Sequence, residues 1–140
     1  KRIRTETVAA EIRAAAEEAA KNVTPRLLAE YRATMLPHLF ESADQSHCPP
    51  GLHWGLAPAT PGYDDCAPDG SEARGSFLPP IPLPRRMWAG GRLTWHTPLR
   101  VGDAVQRVST IESVTHKSGR TGDLLFVLVK HEVHNAQGLV

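Results

Sequence analysis

The stretch FLPPIPLPRRMWAGG, residues 77–91, is the most distinctive part of this 140-residue chain. Its prolines fix the backbone φ angle and remove N–H donors, so residues 79–84 are excluded from a helix interior or a central strand. The pattern predicts a stiff, extended arm followed by a tight turn at a glycine pair. Two guanidinium groups and an indole on one arm indicate a grip for an anionic, partly flat ligand. The residues that the arm presents are Arg85, Arg86, Trp88, Gly90 and Gly91.

Downstream of the arm, the pattern changes to strands. Leu93 to Leu99 predicts a short strand, and Arg100 to Asp103 predicts a turn that Asp103 caps. Ala104 to Thr115 and Leu124 to Val133 predict two long strands of an antiparallel hairpin, because both are rich in β-branched or apolar residues. The run from Leu124 to Val129 indicates burial on both faces. A further turn at 135–138 would lead into a fourth strand.

Upstream of the arm, two helices are predicted. Thr7 to Lys21 is rich in alanine and has a weakly apolar face. Thr24 and Pro25 have the form of an N-cap followed by proline at the first helical position, so they predict the start of a second helix. Residues 41–80 predict a long irregular crossing, with a short helical turn near Leu52 to Leu56.

The composition is that of one domain, in which 41% hydrophobic residues can fill a modest core. A net charge of +1 offers no electrostatic case for nucleic-acid binding. The longest apolar run is too short to span a membrane, and the N-terminus lacks an apolar signal-peptide core. Cys48 and Cys66 form no disulfide framework, so we expect reduced thiols in a cytoplasmic protein. The absence of an initiator Met indicates a trimmed or partial chain.

The arm and the segment WHTPLRVGD at 95–103 resemble the N-terminal half of the MaoC-like, double-hotdog acyl-thioester hydratases. The resemblance points to the itaconyl-CoA, mesaconyl-C4-CoA and 3-methylfumaryl-CoA hydratases, which are related to the type 2 hydroxyacyl-thioester dehydratases. It implies an α+β hotdog fold, in which a curved antiparallel sheet wraps around a helix. Residues 1–23 would then be an N-terminal helical extension and residues 24–140 the N-terminal MaoC-like hotdog domain, with the C-terminal catalytic hotdog absent from this chain.

The same resemblance implies that the complete protein is an acyl-CoA hydratase, which reversibly adds water to a short, branched, dicarboxylic enoyl-CoA. Hydratases of this family use an Asp and a His from the second hotdog half, and the expected motif is missing here. We therefore expect no catalytic residue in this chain and no activity of the chain alone. The substrate- or CoA-binding candidates are Arg85, Arg86, Trp88, Gly90 and Gly91. In the opposing interpretation, the arginines bridge two half-domains and Trp88 is a buried anchor.

Other residues with chemical potential have simpler structural interpretations. His131 and His134 lie three apart on a predicted strand, so they face opposite sides and do not favour a shared metal. His47, Cys48, His53 and Cys66 match no common zinc spacing. Lys117 to Gly122 lacks phosphate-loop spacing, which favours a solvated turn. We expect no metal and no cofactor beyond the acyl-CoA substrate.

The unfinished sheet at the C-terminus indicates a partner, because an exposed strand edge is a liability. We expect a second hotdog half or a partner subunit, in a dimer or another homo- or hetero-oligomer, and neither nucleic acid nor membrane. Two alternatives stay open. One is a non-catalytic hotdog subunit that stabilises a catalytic partner, and the other is a dehydratase subunit for carrier-protein-linked acyl chains.

Overall fold

The computed structural model describes residues 16–35, 38–39, 46–56, 58, 60–73, 75, 77–120 and 122–140. Within these ranges there is one α-helix, two short 3-10 helices and one sheet of four strands, in the order β1-β2-β3-β4. In chain order the elements are β1 (Ala16–Asn22), α1 (Pro25–Met35), the 3-10 helices Leu52–Gly55 and Tyr63–Asp65, β2 (Ala104–Gly119), β3 (Gly122–Asn135) and β4 (Gly138–Leu139). The sheet is antiparallel, and His134 of β3 lies opposite Leu139 of β4.

Strand β1 corrects the helix predicted for Thr7 to Lys21. Residues 7–15 lie outside the described ranges, but Ala16–Asn22 forms a strand beside β2. Helix propensities differ by less than about 1 kcal/mol per residue, so the backbone hydrogen bonds of a sheet can outweigh them. The predicted helical extension is therefore wrong for residues 16–22, and the domain boundary at residue 23 stays a prediction.

The described residues divide into two compact units. The helix-bearing unit draws on residues 18–59, 91–107 and 132–140, and the arm-bearing unit draws on residues 16–17, 60–90 and 108–131.

The N-terminus of α1 in the helix-bearing unit follows the predicted cap. Thr24 Oγ1 accepts a hydrogen bond from the Leu27 N–H at 3.1 Å, and Pro25 occupies the first helical position. The helix then buries Leu28 in a small apolar core. The buried members of that core are Val23, Leu28, Cys48, Leu52, Leu56 and Val105.

The predicted turn before β2 is confirmed. The Asp103 N–H donates to the Arg100 carbonyl oxygen at 3.1 Å, and the Arg100 N–H donates to Asp103 Oδ2 at 3.0 Å. Gly102 has a φ of 96, a left-handed conformation that glycine adopts without steric cost. The turn is fastened to the start of the core, because Gly102 donates to the Val23 carbonyl and Val23 donates to the Asp103 carbonyl.

Strand β3 of the arm-bearing unit corrects the prediction of burial on both faces. Leu124, Phe126 and Leu128 are 53%, 41% and 56% exposed, whereas the residues between them are half-buried. Successive side chains of a strand point to opposite faces, so an uninterrupted apolar run does not require two covered faces. One face of this strand is apolar and open.

The described part thus has the antiparallel sheet and the α-helix that the hotdog prediction requires. None of its helices is long and apolar enough to cross a membrane.

Candidate functional site

The arm lies where the sequence predicted it, in the arm-bearing unit. Residues 77–91 contain neither helix nor strand, which confirms the prediction for 79–84. Pro79 is buried at its root, and the Ile81 N–H donates back to the Pro79 carbonyl at 2.8 Å. The Gly75 N–H donates to the Leu78 carbonyl at 2.9 Å. The start of the arm is therefore anchored, and residues 84–91 are exposed.

The side chains that the arm presents are open to solvent. Arg85 and Arg86 are exposed, and Trp88 is 79% exposed. In this chain Trp88 is therefore not the buried anchor of the opposing interpretation. An exposed indole beside two guanidinium groups offers a stacking surface and charge-assisted donors to one ligand.

The glycine pair does not make the predicted tight turn. Gly90 has a φ of 157, close to extended, and neither Gly90 nor Gly91 lies in a turn or bend. Glycine permits a turn but does not impose one. What the pair supplies instead is a short stretch of backbone without side chains, one residue after Trp88.

A carboxylate of the same unit lies within the electrostatic range of Arg86. Asp69 Oδ1 accepts hydrogen bonds from the Ser71 hydroxyl at 2.7 Å and the Ser71 N–H at 3.0 Å. These bonds hold the pKa of Asp69 below its usual range, and the positive charge of Arg86 lowers that pKa further.

The short strand predicted for Leu93 to Leu99 does not form. Leu93 and Trp95 are exposed, and no strand is present until β2 begins at Ala104. Pro98 has no N–H to donate to a neighbouring strand. Neither face of this alternating segment is buried, so strand pairing would gain no stabilisation from packing. The nearest pairing is an isolated antiparallel bridge between His47 and Arg100.

That bridge is reinforced by side chains in the helix-bearing unit. Arg100 Nη2 lies 3.0 Å from His47 Nε2, and because a guanidinium can only donate, the histidine nitrogen accepts. The adjacent Cys48 N–H donates to the Leu99 carbonyl at 2.7 Å. Burial raises the pKa of the Cys48 thiol, and the charge of Asp103 raises it further, so this cysteine stays protonated and inert.

A second group of polar residues, on strand β2, was missed by the sequence analysis. Arg107 lies between buried Val105 and buried Ser109 in the alternating register of the strand, and its Nε atom is buried without a hydrogen-bond partner among the residues that the structure describes. The sequence offered one signal for this group, because Arg107 shares the alternating positions of Val105 and Ile111 along the predicted strand. Such a buried, unsatisfied donor calls for a ligand or partner.

Two histidines of the arm-bearing unit have defined partners. His131 Nδ1 lies 2.8 Å from the hydroxyl of Ser109, which is fully buried. At the hairpin tip, His116 Nε2 lies 3.0 Å from Asp123 Oδ1. A hydrogen bond from Ser118, followed by that from His116, lowers the pKa of Asp123. The side chains of His116 and Asp123 are both partly exposed to water. The contact therefore stabilises the tip of the hairpin and does not form a desolvated acid-base site.

No group of three metal-ligating side chains is assembled within the described ranges. Cys48 and Cys66 are free thiols, and the Cys66 thiol donates to the Gly62 carbonyl oxygen at 3.3 Å.

Two comparisons with known proteins place the chain. The family model of the hydroxyacyl-thioester dehydratases type 2 matches residues 51–140, which include the arm and the β2–β3 hairpin. A mesaconyl-C(4)-CoA hydratase of Chloroflexus aurantiacus is 41% identical over 108 residues. That match covers 76% of this chain and 38% of the relative, so the chain spans well under half of the hydratase's length. The resemblance inferred from the arm is confirmed.

Proposed function

We propose that this chain is part of an acyl-CoA hydratase, because it belongs to the hydroxyacyl-thioester dehydratase type 2 family. The observation that carries the proposal is the 41% identity with a protein named as mesaconyl-C(4)-CoA hydratase. The reaction would be the reversible addition of water to the double bond of a short, branched, dicarboxylic enoyl-CoA of the itaconyl, mesaconyl or 3-methylfumaryl type.

Addition of water to an enoyl thioester needs three groups. A base removes a proton from water as the oxygen attacks the β-carbon, donors stabilise the charge that moves onto the thioester oxygen, and an acid protonates the α-carbon. The His–Asp contact between His116 and Asp123 lies at an open hairpin tip. We therefore assign the acid-base pair to a second hotdog half or partner subunit, and we expect residues 1–140 alone to be inactive.

The role proposed for this chain is to hold the substrate. Arg85 and Arg86 can each donate two hydrogen bonds to a phosphate of coenzyme A, and the exposed indole of Trp88 can stack on adenine. The absence of side chains at Gly90 and Gly91 lets a ligand approach the backbone closely. The exposure of all five residues supports a role at the open end of a CoA tunnel rather than in a sealed acyl pocket.

We also propose that the protein works in the cytoplasm. We further propose that its sheet carries a surface that binds a partner. Leu124, Phe126 and Leu128 put three large apolar side chains on one face of β3, each more than 40% exposed. Contiguous apolar surface of this kind usually marks an interaction site. Light scattering of the full-length protein would show the homo- or hetero-oligomer, and a Phe126→Glu variant would weaken it if this face is used.

The direct test is the hydration of mesaconyl-C4-CoA and of itaconyl-CoA by the full-length protein. The reaction is monitored as the loss of the enoyl-thioester absorbance. Turnover that is absent from residues 1–140 supports the division of labour proposed above. Turnover only after a separate catalytic subunit is added favours the non-catalytic stabilising subunit. Turnover of acyl groups only when a carrier protein presents them favours the dehydratase alternative. A full-length protein that hydrates none of these substrates refutes the proposal.

A further inference from the structure

Between Val105 and Ile111, the inward-facing register of β2 contains one charged side chain. Val105, Ser109 and Ile111 are 5%, 0% and 4% exposed, and Arg107 stands in the same register as these three residues. Its Nε atom is buried and has no hydrogen-bond partner among the described residues. The neighbours in the register offer apolar surface and one hydroxyl, and the hydroxyl of Ser109 is engaged with His131.

A guanidinium in this situation needs an anion. A buried donor without an acceptor loses its hydration without compensation. The planar fork of arginine matches a carboxylate, which accepts two parallel hydrogen bonds in the plane of the guanidinium. The apolar side chain of Val105, next to Arg107 in the register, fits the short hydrocarbon part of a small organic acid. The missing partner is therefore a carboxylate attached to a small apolar group.

We propose that Arg107 binds the free carboxylate of the dicarboxylic acyl group and so sets the substrate class. This inference rests on the proposed function and deepens it. The arginines of the arm are exposed and suit the hydrated phosphates of coenzyme A, whereas the Nε atom of Arg107 is withdrawn from water. A buried site that holds an unpaired donor also rejects an acyl group without the carboxylate, because that ligand leaves the donor unsatisfied.

A carboxylate side chain of the protein itself could bind Arg107 in the same way. The experiment therefore distinguishes a carboxylate of the substrate from a carboxylate of the protein. The substrates are mesaconyl-C4-CoA and 3-methylcrotonyl-CoA, which differ only in that a methyl group replaces the free carboxylate. Calorimetric dissociation constants for both are measured with the full-length protein, with Arg107→Gln and with Arg107→Lys. Gln106→Ala is the matched control, because Gln106 is exposed on the opposite face of the same strand.

Arg107→Gln should weaken the binding of mesaconyl-C4-CoA by about ten- to a hundredfold, the value of a lost charge-assisted hydrogen bond. Binding of 3-methylcrotonyl-CoA should stay the same, and Gln106→Ala should change neither. Arg107→Lys keeps the charge but loses the fork, so it should weaken mesaconyl-C4-CoA binding to a smaller degree and leave the methyl analogue unchanged.

Equal weakening of both ligands, or no change in either, would overturn the inference while leaving the hydratase proposal intact. Failure of both Arg107 variants to fold would also count against it, because the partner would then be a carboxylate of the protein. A wild-type protein that binds and hydrates neither ligand would overturn the proposed function and this inference together.

Discussion

Ser109 Oγ of β2 lies 2.8 Å from His131 Nδ1 of β3, so a fully buried hydroxyl fixes an imidazole across neighbouring strands. A serine hydroxyl can donate to a neutral ring nitrogen or accept from a protonated one, and the contact therefore survives either state of the histidine. His134, three residues further along β3, belongs to the opposite register of the strand. The two histidines therefore act separately.

Removing the hydroxyl should destabilise the arm-bearing unit. Ser109→Ala removes a buried hydroxyl and its hydrogen bond to His131, whose side chain is exposed to water, and we expect the free energy of unfolding to fall by about 0.5–1.5 kcal/mol. Chemical denaturation of wild type, Ser109→Ala, His131→Ala and the double variant gives the coupling energy of the pair. A coupling near zero would mean that the contact contributes nothing and that Ser109 is buried only because it is small.

Two glycines with nearly the same backbone conformation should respond differently to alanine. Gly51 and Gly102 have φ values of 95 and 96, so a Cβ is strained at both. At Gly102 a Cβ would meet no atom within 4 Å, whereas at Gly51 it would collide with the Tyr31 hydroxyl. That hydroxyl donates to the Pro50 carbonyl oxygen at 3.0 Å.

We therefore expect Gly102→Ala to cost about 1–2 kcal/mol from backbone strain alone, and Gly51→Ala to cost more because it also displaces Tyr31. Thermal unfolding of the two variants makes the comparison. Tyr31→Phe in the Gly51→Ala background should recover part of the loss by removing the oxygen in the way. Equal melting temperatures for the two single variants would show that the collision is relieved without cost.

The Cys48 thiol should be slow to react, with a pKa above its usual range. Burial favours the neutral thiol, and the negative charge of Asp103 adds to the effect. Because the folded state holds this proton more tightly than the unfolded state, stability should fall as the pH rises past the ordinary thiol range of about 8.5. Alkylation by iodoacetamide across this pH range, in a Cys66→Ser background, measures the pKa directly. The same protein in guanidinium is the reference, and identical pH profiles in the two conditions would contradict the expectation.

The sequence predicted best those features that a few neighbouring residues determine. The cap at Thr24, the turn closed by Asp103 and the irregular backbone of the arm depend on local chemistry, and all three are present. The failures concern long-range pairing. Alanine-rich Ala16–Asn22 pairs with β2, while Leu93 to Leu99 finds no strand partner, and no short-range pattern separates these outcomes.

The candidate site shows the same difference between features that are determined locally and features that depend on long-range contacts. Exposure of Arg85 and Trp88 follows from prolines that exclude the arm from the sheet, so the sequence could indicate it. Arg107 could not be identified in the same way, because its importance depends on whether a partner lies opposite its buried Nε atom. The match to residues 51–140 establishes the family without assigning a role to any of these side chains.

The arm should recognise the nucleotide part of the ligand. Arg85→Ala removes a guanidinium that can donate two bonds to a phosphate, and we expect the Michaelis constant for the acyl-CoA to rise about ten- to a hundredfold in the full-length protein. The Michaelis constant for the matching acyl-pantetheine, which lacks the nucleotide, should already be high in the wild type and should not change in the variant. The turnover number should stay the same for both substrates, because the arm does not touch the reacting carbons.

Arg120→Ala is the matched control, because Arg120 is also exposed but lies at the hairpin tip outside the arm. Arg86→Ala should have a smaller effect than Arg85→Ala, since the nearby negative charge of Asp69 opposes the binding of a phosphate at Arg86. Equal rises for acyl-CoA and acyl-pantetheine would place Arg85 on the acyl or pantetheine part instead. Unchanged Michaelis constants in folded Arg85→Ala and Arg86→Ala would show that the arm is structural and that the arginines bridge the two halves of the enzyme.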